Sequence, residues 1–142
     1  MTYLLDTDHL SILQREQGAE FAALSSRLAR VDPSELALSV ISFHEQALGC
    51  HTYILRARSP ADVVRGYEML VRVLRAFAAA PVLPFDAKAS AIFDDLAAHR
   101  PRVATMDLRI ASIALARGLI LLTRNVGDFG KIPGLRTEDW TF

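Results

Sequence analysis

Tyr3-Leu4-Leu5-Asp6-Thr7-Asp8 decides the reading of this chain, because a three-residue apolar run stops abruptly at an acidic, hydroxyl-bearing triplet. A short, uniformly apolar run has no wet face, so it reads as a buried strand, and the polar stop reads as the turn beyond it. Ala37 to Ile41 and Leu119 to Thr123 repeat the pattern, and Val82 to Phe85 offers a fourth strand that Pro84 confines to an edge or a short pairing. Between these runs the spacing turns helical. Phe21, Leu24, Leu28 and Val31 recur at threes and fours up to Asp32-Pro33, and Ser59-Pro60 opens a long helix carrying Val63, Tyr67, Leu70, Leu74 and Phe77. Asp86 caps a helix with Ile92, Phe93 and Leu96, whereas Ile110, Ile113 and Ala114 mark one that starts near Thr105 and stops at Gly118. Ser42 with Glu45 three residues later has the form of a helix-opening capping box. Buried strands alternating with helices predict an α/β fold whose mainly parallel sheet is covered on both faces.

With 142 residues, 51% of them hydrophobic and 23% charged, and no repeat or long linker, the chain is expected to form one domain over 1–142. A chain of this length buries a self-sufficient core, and the lone Cys50 excludes an internal disulfide. The amino terminus lacks the basic and long apolar regions of a secretory signal, and no apolar run approaches the roughly 20 residues that span a bilayer. The expected location is the cytoplasm, with no membrane partner. Sixteen basic and sixteen acidic residues cancel, so nucleic-acid binding would need a local patch. All but two of those basic residues are arginine, the side chain suited to bidentate phosphate contacts.

In parallel sheets ligands bind beyond the carboxyl ends of the strands. Asp6 follows the first strand, Glu45 lies in the helix after the second, Asp107 stands in the first turn of the helix near Thr105, and Asp128 follows Leu119 to Thr123. Four carboxylates brought together repel one another unless a cation neutralises them. Oxygen donors suit a hard divalent ion such as Mg²⁺, which keeps several waters and commonly shares its shell with phosphate oxygens. Each residue also has a local reading: Asp6 or Asp8 as cap of a helix carrying Leu10 and Leu13, Glu45 as half of the capping box, Asp107 against a helix dipole, Asn125 and Asp128 in a turn.

Taken in order, LLDTDHLS from Leu4, SVISFHEQALG from Ser39, MDLRIASIALARGL from Met106 and LLTRNVGDFGKIPGLRTEDW from Leu121 resemble the PIN-domain family, and more narrowly its VapC toxins. The resemblance spans nearly the whole chain. It implies an α/β/α sandwich and a metal-dependent endoribonuclease of a bacterial toxin-antitoxin system, cutting selected structured RNAs such as tRNAs with Mg²⁺, or Mn²⁺ in its place. It assigns the metal to Asp6, Glu45 and Asp107, with the fourth acid either where Asn125 stands or at Asp128, which we take. Thr7 and Thr123 match supporting hydroxyls. Arg100, Arg102, Arg109 and Arg124 lie nearest the acids in sequence and are the candidate RNA contacts. A cognate VapB-like antitoxin and a homodimer are the implied partners. The chain departs from the family pattern at Asp8, where asparagine is frequent, and at Arg100-Pro101-Arg102, which replaces the usual glycines.

Two rivals follow from the same residues. Asp6-Thr7-Asp8 also resembles the nucleophile and acid that open haloacid-dehalogenase-type phosphatases, although Leu10 stands where those enzymes prefer threonine or valine. A PIN-like module that binds RNA or a partner without cutting is the non-enzymatic alternative.

Overall fold

Tyr3–Leu5 forms β1 at the centre of a five-stranded sheet, as its uniformly apolar composition requires, and a computed structural model describes all of residues 1–142. The chain continues through α1 (Thr7–Arg15), α2 (Ala19–Leu28), a 3₁₀ turn (Pro33–Glu35), β2 (Leu36–Ser39), α3 (Val40–Leu55), α4 (Pro60–Ala78) and β3 (Val82–Leu83). It then forms α5 (Ala87–Ala98), α6 (Thr105–Arg117), β4 (Ile120–Leu122), α7 (Val126–Phe129) and β5 (Thr137–Glu138). The spatial order is β3-β2-β1-β4-β5 and every pairing is parallel, with Leu4 in register with both Ala37 and Leu121. The chain winds outward from β1 to β2 and β3, then crosses back to β4 on the other side. β1 and β4 therefore flank the point where winding reverses, the place where open parallel sheets bind ligands beyond their carboxyl ends.

Alternate residues of each strand enter opposite cores. Leu4, Ala37 and Leu121 pack with Ala89 of α5 and with Ile110, Ala111, Ile113 and Ala114 of α6. Leu5, Leu38 and Leu122 pack on the other side with Leu10, Leu24, Val73 and Phe77, from α1, α2 and α4. Phe43 meets Phe77 edge to face with ring centroids 5.3 Å apart, joining α3 to α4. The result is the expected α/β/α sandwich, with a wholly parallel sheet. No helix is long and apolar enough to cross a membrane.

Several boundaries differ from the expectation. The run Ala37 to Ile41 splits, because the Ser39 hydroxyl accepts the Ser42 N–H at 3.0 Å and so ends β2 and caps α3. Ser42 lies inside the first turn, and Ser42 with Glu45 is not a capping box. Phe21 to Val31 is helical only to Leu28, although Val31 still packs against the second core. The strand expected over Leu119 to Thr123 is Ile120–Leu122, directly after Gly118 closes α6 in a left-handed conformation at φ +65°. The strand expected over Val82 to Phe85 ends at Leu83, ahead of Pro84, and sits at the sheet edge as proline demands. α7 and β5 are too short to leave a periodic signal.

Leu121 is fully buried on the central pair, whereas Val64 on α4 is 58% exposed. Leu121→Ala is expected to lower unfolding free energy by about 2–5 kcal/mol, and Val64→Ala by no more than about 0.5 kcal/mol. Urea denaturation of both variants checks this.

Candidate active site

Asp6 leaves β1 at the switch point and does two jobs at once. As N-cap of α1 it accepts the Thr7 N–H on Oδ1 at 2.8 Å, and Oδ2 accepts the Thr123 hydroxyl from the exit of β4, also at 2.8 Å. The side chain is only 5% exposed. Burial, and then the neighbouring Asp8 charge, push its pKa up to about 7; the bonds from Thr123 and Thr7 oppose the rise, and Asp107 adds to it. The local reading of this residue as a helix cap is the one the structure shows, with a second, long-range bond beside it.

Glu45, freed from any cap, faces α1: the Thr7 hydroxyl donates to its Oε1 at 2.9 Å. That hydroxyl also lies 2.8 Å from Ser42 Oγ, and Ser39 Oγ donates to Ser42 Oγ at 3.3 Å. Each hydroxyl has one proton, so the bonds run one way, from Ser39 to Ser42 to Thr7 to Glu45. Ser39 and Ser42 are fully buried, so this chain pins a half-exposed carboxylate to the interior.

Asp107 stands in the first turn of α6, whose N-cap Ala104 offers no side-chain bond. Burial raises its pKa first, followed by the charges of Glu45, Asp128 and Asp8, and its own charge acts on Asp6. Asp128 lies on α7 rather than in a loop. Asn125 Nδ2 donates to its Oδ2 at 3.2 Å and Lys131 Nζ lies 3.4 Å from Oδ1. Those two bonds, Asn125's first, hold the carboxyl below the usual range. Asn125 in turn donates its backbone N–H to Thr123 Oγ1 at 3.0 Å. Asn125 and Asp128 thus occupy one unit, the amide orienting the acid.

Asp8 joins this centre, although in sequence it reads as a helix cap, a departure from the family pattern or the acid of the phosphatase rival, and not as a site residue. Its Oδ2 accepts the Arg124 N–H at 2.9 Å and lies 3.2 Å from Thr123 Oγ1, whose single proton points to the nearer Asp6. Burial alone would raise its pKa, but the hydrogen bonds from His9 and from the Arg124 backbone outweigh it and leave the carboxyl low. An ionised, multiply bonded Asp8 has no proton for the general-acid role that rival needs. The legible signal for it was the two-residue spacing from Asp6 at a helix start.

The four candidate arginines separate. Arg102 lines a cleft of about 500 Å³ with His99, Pro101 and Lys131, and Lys131 connects that cleft to Asp128. Arg100 is exposed at the end of α5, in a left-handed conformation at φ +47°. Arg124 extends from the site toward Glu20, with 4.0 Å between charged atoms. Arg109 is engaged elsewhere, its guanidinium 5.5 Å above the Phe93 ring. Lys131 was missed because a lone lysine carries no pattern.

The donors at this centre are all oxygen, and no three of the acidic side chains already close on one point. A small hard cation that takes one or two carboxylates directly and fills its shell with water fits such a ring.

A parallel α/β/α sandwich with coupled acidic side chains at its switch point defines the class. Within it, the chain belongs to the PIN domain family, whose model matches residues 3–135. The tRNA(fMet)-specific endonuclease VapC of Shigella flexneri is 31% identical over 111 residues, covering 78% of this chain and 80% of its own length. The protein of the same name from Salmonella typhimurium is 31% identical over 110 residues, with 78% and 79% covered. Among solved structures, DNA-bound VapBC from Salmonella typhimurium superposes with a TM-score of 0.78 at 26% identity, covering 99% of this chain and 98% of that one.

Asp6 titrates near 7 when folded and near 3.9 when unfolded, so the folded state holds the proton more tightly. Its contribution to stability is complete below about pH 4 and is lost as pH rises through about 7. In metal-free protein, Asp6→Asn is therefore expected to raise stability at pH 8 by up to a few kcal/mol, with a smaller gain at pH 5. Thermal unfolding at the two pH values in chelator reads the sign.

Proposed function

We propose that this chain is a VapC-type toxin, an endoribonuclease that hydrolyses phosphodiester bonds in selected structured RNA, tRNA being the foremost class. The observation that carries the reading is the charge coupling of Asp107 to Asp6, Glu45 and Asp128, acids that four separate segments bring to the carboxyl side of the sheet. Asp6 and Asp107 would hold Mg²⁺, or Mn²⁺ in its place, with Glu45 and Asp128 flanking. Such an ion supplies an activated water and neutralises charge developing on the phosphoryl group. Thr7 and Thr123 keep the Glu45 and Asp6 oxygens aimed, and Asn125 does the same for Asp128. Because the centre is negative, the substrate backbone needs a cationic approach, and Arg102 with Lys131 offers one beside Asp128. The endonuclease relatives and the toxin-antitoxin complex among the similar structures support this reading.

A VapB-like antitoxin and a second copy of the chain complete the proposed assembly. α4 mixes two faces: Val73 and Phe77 turn into the core, whereas Val63, Val64, Tyr67, Val71 and Leu74 are exposed. An outward apolar stripe of this kind supports a protein partner.

Purified protein incubated with total bacterial RNA is expected to give discrete products with Mg²⁺ or Mn²⁺ and none in chelator. Asp6→Asn and Asp107→Asn should abolish cleavage while remaining folded. Metal-independent binding without cleavage in the wild type would instead identify a non-cutting RNA module. Arg102→Ala, measured for RNA binding in Asp107→Asn protein, should flatten the log–log salt dependence by about one unit.

A further inference from the structure

His9 is the most deeply buried ionisable side chain near the site, with no exposed surface, and none of the roles above uses it. Both its nitrogens are engaged. Nε2 accepts the Trp140 backbone N–H at 3.2 Å, with Asp139 Oδ1 at 3.8 Å. Nε2 therefore carries no proton, the ring proton resides on Nδ1, and Nδ1 donates to Asp8 Oδ1 at 2.8 Å. The other oxygen of Asp8 accepts the Arg124 N–H and lies 3.2 Å from Thr123 Oγ1, which donates to Asp6. One continuous path thus links the segment after β5, the start of α1 and the exit of β4.

The position of this path matters. Arg124, Val126 and Gly127 are exposed, so between the buried Thr123 and the buried Phe129 the arm that carries Asn125 and Asp128 is tied down mainly by polar contacts. Asp6 and Asp8 repel at the root of that arm. The β4 exit is joined to the end of β1 by the Asp6 N–H to the Leu122 carbonyl at 2.9 Å, and beyond it the charge-assisted bond from the Arg124 N–H to Asp8 carries the tether on to the arm.

We propose that Asp8 and His9 form a clamp in which His9 is a positioning residue that, through Asp8, holds the β4 exit against β1 and sets the spacing between Asp6 and Asp128. The consequence for divalent-ion affinity rests on the metal-site reading above, whereas the clamp itself does not. Residues that orient a metal site from behind typically change its affinity by about 10- to 100-fold when altered.

Two substitutions separate the clamp from plain core packing. His9→Asn places an amide nitrogen where Nδ1 stands, keeping the donor to Asp8 and losing the acceptor for Trp140. His9→Gln reaches the Nε2 position, keeping an acceptor for Trp140 and losing the donor to Asp8. Amide hydrogen exchange at Arg124, measured in chelator on the full chain, should accelerate in His9→Gln and stay near wild type in His9→Asn. Mn²⁺ affinity by calorimetry should fall about 10- to 100-fold in His9→Gln and be largely retained in His9→Asn. Equal effects of the two variants, or faster exchange confined to His9→Asn, would overturn the clamp. If His9→Gln does not fold, Asp8→Asn at the more exposed partner must itself accelerate Arg124 exchange, and unchanged exchange there refutes the proposal. Wild-type protein that binds no Mn²⁺ would sink the metal reading, with the exchange data still deciding the clamp.

Discussion

A carboxylate buried at the end of the central strand is the constraint on which the rest of this structure turns. Asp6 sits where β1 gives way to α1, nearly inaccessible to water, with Asp8 and Asp107 close enough to raise its pKa further. An arrangement that opposes ionisation at this position works against stability. Its persistence is understandable only if the negative field has a use, and a cation that answers it would stabilise the fold by mass action. On the proposed reading, the same field that weakens the metal-free protein is what selects a hard divalent ion.

The surrounding hydrogen bonds show how that field is kept in shape. Two hydroxyls at matching points, Thr7 after β1 and Thr123 after β4, each touch a carboxylate on a different element. Thr7 ends a relay that begins at buried Ser39, and Thr123 lies between Asp6, Asp8 and the Asn125 backbone. Few of these contacts are local in sequence. They hold because parallel pairing of β2, β1 and β4 brings the starts of α3 and α1 and the exit of β4 side by side. The helix start that caps with Asp6 thus combines local backbone satisfaction with a long-range bond to Thr123 in one side chain.

Around this centre the surface is divided by task. The cationic cleft with Arg102 and Lys131 adjoins Asp128, whereas the apolar stripe of α4 lies on the helical layer carried by the other sheet face. A chain with no net charge can serve a polyanion in this way because screening makes close charges matter more than the total.

Much of this was legible in one dimension. Strand and helix alternation follows from apolar run length and three-four spacing, and Pro84 places β3 at an edge, because these depend on the backbone and on burial alone. The acids at strand ends were visible for the same reason. The true start of α3 was not, since Val40 and Ile41 extend an apolar run smoothly and only the Ser39 hydroxyl, in place, ends the strand. Asp8 looked like a helix-start acid, and its membership in the site depends on Thr123 and Arg124, more than a hundred residues away in sequence. Arg109 looked available for RNA until α5 placed Phe93 beneath it. Apart from the short α7 and β5, sequence by itself determined the longer helices and the strands, and where the carboxylates lie along the chain. Tertiary structure alone decided which carboxylates meet and which side chains aim them, because hydrogen bonds and charge coupling act across distances of a few ångströms that chain order does not encode.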